Sequence, residues 1–247
     1  MRWQPVLAVL LAACASANVG GNNPGDDDDD DPPKDAPDPD LDAPDGAPPI
    51  DAAVPVSLVQ TGATNVVATQ IGCQQTNPLT NFTTPNSYYR TFPLSDFNIT
   101  TPLHVTEVKF EVERSTAGNG VSQPAQLILG TYTGTINAAS FALASLTPIA
   151  AATIAIPNGA TSVTTPITAF SPTEVTLPPG QVMYVELRIP DGRPAGNIFY
   201  IGSNAGTEMH PSYIMATDCS IASPTQYVSA VGASPVIRIL LSVNGTH

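Results

Sequence analysis

Val105-Thr106-Glu107-Val108-Lys109-Phe110-Glu111-Val112-Glu113-Arg114 decides the fold of this chain. Val105, Glu107, Lys109, Glu111 and Glu113 alternate with Thr106, Val108, Phe110 and Val112. Successive side chains of a strand point to opposite faces, so this period of two sets a charged row against a largely apolar one. Val182, Tyr184, Glu186 and Arg188 interleave with Met183, Val185, Leu187 and Ile189 in the same manner. Further strands are expected over Val56–Gln60, Val66–Ile71, Ser87–Leu94, Gln126–Tyr132, Ala150–Ile156, Ser162–Phe170, Ile198–Gly202 and Val236–Val243. Turn residues separate them at Gly118-Asn119-Gly120, Pro157-Asn158-Gly159, Pro178-Pro179-Gly180 and Pro190-Asp191-Gly192. One short helix is expected, over the alanine-rich Ala138–Ser145. The pattern predicts an all-β, antiparallel β-sandwich. About ten strands exceed the seven of a minimal immunoglobulin-like domain, which favours a jelly-roll-like arrangement.

This domain is expected to run from Val54 to His247, long enough for one sizeable core. What precedes it has a different composition. Asp26 to Asp31 is an unbroken aspartate run, followed by Asp35, Asp38, Asp40, Asp42, Asp45 and Asp51, with only Lys34 in opposition. Prolines recur at 24, 32, 33, 37, 39, 44, 48 and 49. Such a stretch has too little to bury to offset its ordering entropy, so residues 14–53 are expected to be a disordered linker, extended by proline and like charge. It holds 12 of the chain's 21 acidic residues. The net charge of −13 therefore describes the linker and says little about any site in the domain. Calcium is the one cofactor to weigh. Asp38, Asp40 and Asp42 alternate as in a calcium loop, but the sixth and twelfth positions, Ala43 and Pro49, are not the glycine and glutamate that an EF-hand requires.

Residues 1–13 read as a secretory signal. Arg2 precedes an apolar run from Val6, which closes on Leu11-Ala12-Ala13-Cys14. The run is too short to span a bilayer, which takes about 20 residues. This stretch resembles a bacterial lipoprotein signal peptide with its lipobox. The resemblance implies that Cys14 becomes the mature N-terminus and carries acyl chains, palmitate among them, which hold the protein to the membrane. It implies an extracytoplasmic, lipid-anchored protein of the cell envelope. The residue after the cysteine is Ala15 rather than Asp, which favours the outer membrane or cell surface. With Cys14 lipidated, Cys73 and Cys219 remain as an even pair in an oxidising compartment, so a Cys73–Cys219 disulfide is expected. Free thiols or metal ligands are the alternative, and no second Cys or His pair stands near them to complete a zinc site. No metal site is expected.

The domain also resembles the accessory β-sandwich modules of secreted bacterial proteins, galactose-binding-like ones included. Ser87-Tyr88-Tyr89-Arg90, His104 to Phe110, Pro211-Ser212-Tyr213 and the block around Cys219 carry this likeness. It brings no site residues with it. For a ligand site the available residues are Tyr88, Tyr89, Arg90, Tyr200 and Tyr213: two adjacent tyrosines on a strand face opposite ways, so one of Tyr88 and Tyr89 is expected outside. Catalytic residues are not expected. Ser212, His210 and Asp218 make a conceivable triad, but a hydrolase triad converges from separate elements, and Gly202-Ser203 lacks the spacing of a nucleophile elbow. There is no P-loop, dinucleotide fingerprint or basic stripe, so no nucleic-acid partner is expected. The function expected is an anchored sandwich that binds a glycan, protein or envelope component without catalysis. The alternative is a hydrolase, or an accessory subunit of one, with no local signature.

Overall fold

The computed structural model describes residues 53–77, 80–231 and 237–247. The lipobox with Cys14, the Asp/Pro-rich linker and its calcium reading lie outside the described residues.

Two six-stranded antiparallel sheets face each other. Sheet one holds β1 (Pro55–Val59), β5 (Leu103–Thr116), β8 (Ser162–Pro166), β9 (Thr176–Leu177), β11 (Ile198–Ile201) and β16 (Leu241–Thr246). Its order is β1-β16-β5-β11, with β8 and β9 also paired to β5. Sheet two holds β4 (Asn86–Pro93), β6 (Ser122–Tyr132), β7 (Leu146–Pro157), β10 (Val182–Ile189), β13 (Tyr213–Ala216) and β14 (Ile221–Gln226), in the order β14-β13-β4-β10-β6-β7. Two short pairs complete the fold, β2 (Gln74–Asn77) with β3 (Thr80–Thr83), and β12 (Ser203–Asn204) with β15 (Arg238–Ile239). The domain is thus an all-β sandwich.

The alternation in β5 does what its sequence demands, with one adjustment. Val108, Phe110 and Val112 are buried, while Glu107, Lys109, Glu111 and Glu113 face outward. Val105, which the simple period puts with the charged row, is buried as well. A register shift against β16, between Asn244 and Gly245, spends Thr106 as an extra residue and returns Val105 to the core side. Across the sandwich, Tyr88 of sheet two packs on Phe199 of sheet one, with ring centroids 6.2 Å apart, and Phe199 meets Phe110 edge-on. Leu58, Leu127, Val185, Leu187 and Val243 fill the same core. Each such side chain stabilises by about 1.5–3 kcal/mol on full burial.

Pro124 lies within β6 at no cost to the ladder. Residues 124 and 155 face each other in the β6–β7 register, and β10 reaches along β6 only as far as Gln126. The missing N–H therefore falls past the end of β10. At the edge of sheet one, Val54 and His247 exchange two backbone hydrogen bonds of 2.9 and 3.0 Å, just outside the β1–β16 pairing.

Two expectations of local structure fail. Val66–Ile71 is not a strand. That segment crosses the end of sheet one, where Glu113 Oε2 accepts the Thr69 and Gln70 backbone N–H groups at 2.9 and 2.8 Å, and Val67 N–H donates to Ser203 O at 2.8 Å. A carboxylate and a single β12 carbonyl satisfy this backbone in place of a continuous ladder. Ala138–Ser145 is not a helix and keeps only a 3-10 turn at Leu143–Ser145. Its backbone instead runs along β14, with Phe141 N–H donating to Pro224 O and Gln226 N–H to Ala139 O. The one α-helix among the described residues is α1, Tyr227–Val231, which lies outside every expected element.

Candidate functional site

The five candidate ligand residues are all buried. Tyr88, Tyr89 and Arg90 are fully enclosed, Tyr213 is 1 % exposed and Tyr200 5 %. They do not form one surface. Tyr88 and Tyr89 do face opposite sides of sheet two, as adjacent strand residues must, but the outward side is covered.

Tyr88 points into the main core and donates its hydroxyl proton to Ile71 O at 3.0 Å. Tyr89 and Tyr213 meet on the outer face of sheet two. There the strap of residues 133–145 lays Phe141 among Tyr89, Tyr132 and Tyr213, at centroid distances of 5.8, 5.0 and 4.8 Å. Tyr184 joins this second cluster. A Cβ at Gly130 would stand 2.2 Å from Thr147 O and 2.5 Å from the Tyr184 ring, so only glycine fits beneath that tyrosine. The strap turns an outward aromatic row into a second small core.

Arg90 anchors a buried polar hub. Its Nε and Nη2 donate to Ile239 O at 3.1 and 2.6 Å, and Nη1 donates to Glu208 Oε2 at 2.6 Å and His210 O at 2.8 Å. Ser212 Oγ donates to the same Glu208 oxygen at 3.0 Å and accepts the Ile239 N–H at 3.0 Å. Arg238 Nε stands 3.1 Å from Glu208 Oε1, a charge contact whose angle falls short of a hydrogen bond. Burial pushes the Arg90 guanidinium down to about 10, while Glu208 pulls the other way. A buried cation satisfied by a carboxylate and carbonyls is a structural tie. It fastens β4 to β15 and to the 208–212 loop.

Two residues of the conceivable triad, His210 and Ser212, are engaged by other partners. His210 Nε2 lies 2.6 Å from Asp96 Oδ2 and its Nδ1 lies 2.9 Å from Asn137 Oδ1. Ser212 is engaged by Glu208, and Asp218 sits in the 3-10 turn Thr217–Cys219. That turn carries the disulfide, Cys73–Cys219, which ties the segment before β2 to the one before β14. Among the described residues, no group of three or more His, Cys, Asp and Glu side chains comes together to hold a metal.

The open polar surface lies on the outer face of sheet one. Ser57 pairs with Asn244, and Asn244 with Glu107, across three neighbouring strands. Val59, Ser242, Lys109 and Thr164 form the next row, and Glu111 and Ser162 the one after. Asn244 Nδ2 donates to Glu107 Oε1 at 2.7 Å, and Lys109 Nζ is 2.8 Å from Glu111 Oε1. Between this face and the start of the crossing segment, at Thr61 and Thr64, is a pocket of about 80 Å³ lined by Val59, Phe110, Leu240 and Leu241 as well as by Lys109, Glu111 and Ser242. Hydroxyl, amide, ammonium and carboxylate groups thus stand side by side on neighbouring strands. Reading β5 alone found Glu107, Lys109 and Glu111, but their neighbours Ser57, Ser242 and Asn244 come from the ends of the domain and join only through strand pairing.

No protein-family model and no curated protein matches the chain. Among solved structures, it is similar to the crystal structure of the cysteine protease and lectin-like domains of Cwp84, a surface layer associated protein of Clostridium difficile. The identity is 11 % and the TM-score 0.46, over 67 % of this chain and 33 % of that one, so the match spans about a third of the solved chain's length.

Proposed function

We propose that the chain is an extracytoplasmic lipoprotein. Acyl chains on Cys14 anchor it, the Asp/Pro-rich linker holds the sandwich away from the envelope surface, and the sandwich binds a glycan or another polar envelope component without catalysis. The observation that carries the binding reading is the outer face of sheet one. Side-chain donors and acceptors recur there at strand spacing, about 4.8 Å, which suits a ligand dense in hydroxyl groups. The disulfide supports an oxidising compartment, and hence export. In favour of binding over hydrolysis, His210 and Ser212 are each committed to other partners, and Glu208 is shared between two arginines.

The test combines location and binding. Cys14→Ala should move the protein from the membrane fraction to the soluble one. The folded chain, probed on a carbohydrate array, should bind a defined subset of glycans, and Lys109→Ala with Asn244→Ala should abolish that binding without altering the melting temperature. An unchanged membrane fraction refutes the anchor. Array binding that survives both substitutions refutes the site.

A further inference from the structure

From Ser115 to Thr173 the chain has no Asp, Glu, Lys or Arg. That interval contains β6, β7 and β8. β7 is the edge of sheet two, twelve residues long, and β8 lies at an edge of sheet one. Natural sheets usually guard such edges with charge, proline or a covering segment. Here the covering is partial. Ala151 N–H donates to Ser171 O at 3.2 Å and Ser171 N–H to Ala151 O at 2.9 Å, which shows that the peptide groups of Ala151 face away from β6. Peptide direction alternates along an antiparallel strand, so Thr153 and Ala155 face away from β6 too. Both residues are exposed, and their outward N–H and C=O groups have no hydrogen-bond partner among the described residues. Pro157, the next outward position, has no N–H to offer. The free edge is therefore a window of two residues, closed on one side by Ser171 and on the other by Pro157.

We propose that this window is where two copies of the chain join, β7 against β7, antiparallel about a two-fold axis at Ile154. Thr153 of one copy then pairs with Ala155 of the other, and the reverse, giving four backbone hydrogen bonds. Three observations favour a second copy as the occupant. The window is self-complementary in this register, and a shifted one meets Pro157 or the residue already held by Ser171. The chain carries a net charge of −13, yet β6, β7 and β8 add none of it, so copies meeting there avoid like-charge contacts along these strands. Two of the six large apolar side chains exposed among the described residues, Val121 at 72 % and Leu143 at 50 %, flank the two ends of β7 and extend the contact. The interface is isologous and closes on itself, leaving no further β7 edge to add a third copy.

The test is the oligomeric state of the full chain carrying Cys14→Ala, which keeps acylation and detergent out of the measurement. Sedimentation should show a monomer–dimer equilibrium. Ala155→Pro removes an N–H that the monomer does not use and should raise the dimer dissociation constant about tenfold or more. Should that variant fail to fold, amide exchange on the parent chain decides. The Thr153 and Ala155 amides should gain protection as concentration rises. A chain that stays monomeric at every concentration overturns the proposal and leaves the window to a strand from another protein. A dimer indifferent to Ala155→Pro, concentration-independent exchange at both amides, or open-ended aggregates in place of a dimer also overturn it.

Discussion

Glu208→Gln tests the buried hub with the smallest change of shape. It removes the charge that faces Arg90 Nη1 at 2.6 Å and Arg238 Nε at 3.1 Å, and leaves the carbonyl oxygen in place. Breaking a buried ion pair from one side costs about 3–5 kcal/mol, because the other charge stays buried. The lower end applies here. Arg90 is fully enclosed but keeps the Ile239 and His210 carbonyls as acceptors, and Arg238 is partly open to water. The expected loss is thus about 3 kcal/mol. For a domain of this size that is a fall of about 6–12 °C in melting temperature. Urea unfolding should give the same loss as a lower midpoint with an unchanged slope. Arg90→Met leaves the two carbonyls unpaired while Glu208 keeps Arg238 and Ser212. Combined with Glu208→Gln, it should cost less than the two separate losses together, by about 1 kcal/mol or more. A Glu208→Gln protein within about 1 kcal/mol of the parent would show that the carbonyls alone satisfy Arg90, and the hub would lose its electrostatic reading.

Removing the disulfide by Cys73→Ser with Cys219→Ser should lower stability by about 2–5 kcal/mol, and mass spectrometry of unreduced peptides from the parent should find the two cysteines linked. If both alkylate freely in exported protein, the tie is absent. Phe141→Ala should cost about 3 kcal/mol by emptying the space among Tyr89, Tyr132 and Tyr213, and a loss under about 1 kcal/mol would mean that the strap does not pack there in solution. Alkaline pH should unfold the domain. Burial pushes Tyr184 and Tyr213 up to about 12, and Tyr88 and Tyr89 in the same direction, whereas an unfolded tyrosine ionises near 10. Groups raised on folding stabilise fully below the unfolded value and lose that contribution as pH climbs through the folded one. Arg90, lowered to about 10, works in the opposite sense, but it is one group against four. Denaturation midpoints should hold steady to about pH 9 and fall between about pH 10 and 12, and midpoints that stay level to pH 12 would refute the tyrosine argument.

Much of the fold was legible where one face of a strand is wet and the other dry. β5 and β10 declare themselves because charge on one side is incompatible with burial on the other. The disulfide was legible from the parity of the two cysteines that remain once the lipobox resemblance sets Cys14 aside. Val66–Ile71 misled because β-branched residues are a preference, and a carboxylate on a distant strand can satisfy that backbone as well as a ladder does. β13 and β14 are short, with Pro211 and Ser220 just outside them and Pro224 within the edge strand β14, so no apolar alternation announces them. Arg90 was the deepest misreading. An arginine after two tyrosines suggests a surface, and nothing near it in sequence announces Glu208, which only the meeting of β4 with the 208–212 loop supplies. The strap was opaque for a similar reason. Whether an outward tyrosine is exposed depends on what later folds over it, and Phe141 lies 52 residues beyond Tyr89.

The paired backbones of Val54 and His247 make the sandwich insertable. Its entry and exit points are one strand spacing apart, about 5 Å. Another protein's surface loop opens hardly at all to admit such a module, and the module needs no rearrangement to be admitted. The same closeness allows circular permutation. A few flexible residues can join His247 to Val54, and the chain can be reopened at the Asn119-Gly120 turn, so that β6 becomes the first strand and β5 the last. The permuted chain retains every pairing of both sheets, because their neighbours are set by side-chain faces and register, whatever the order in which the ribosome delivers them.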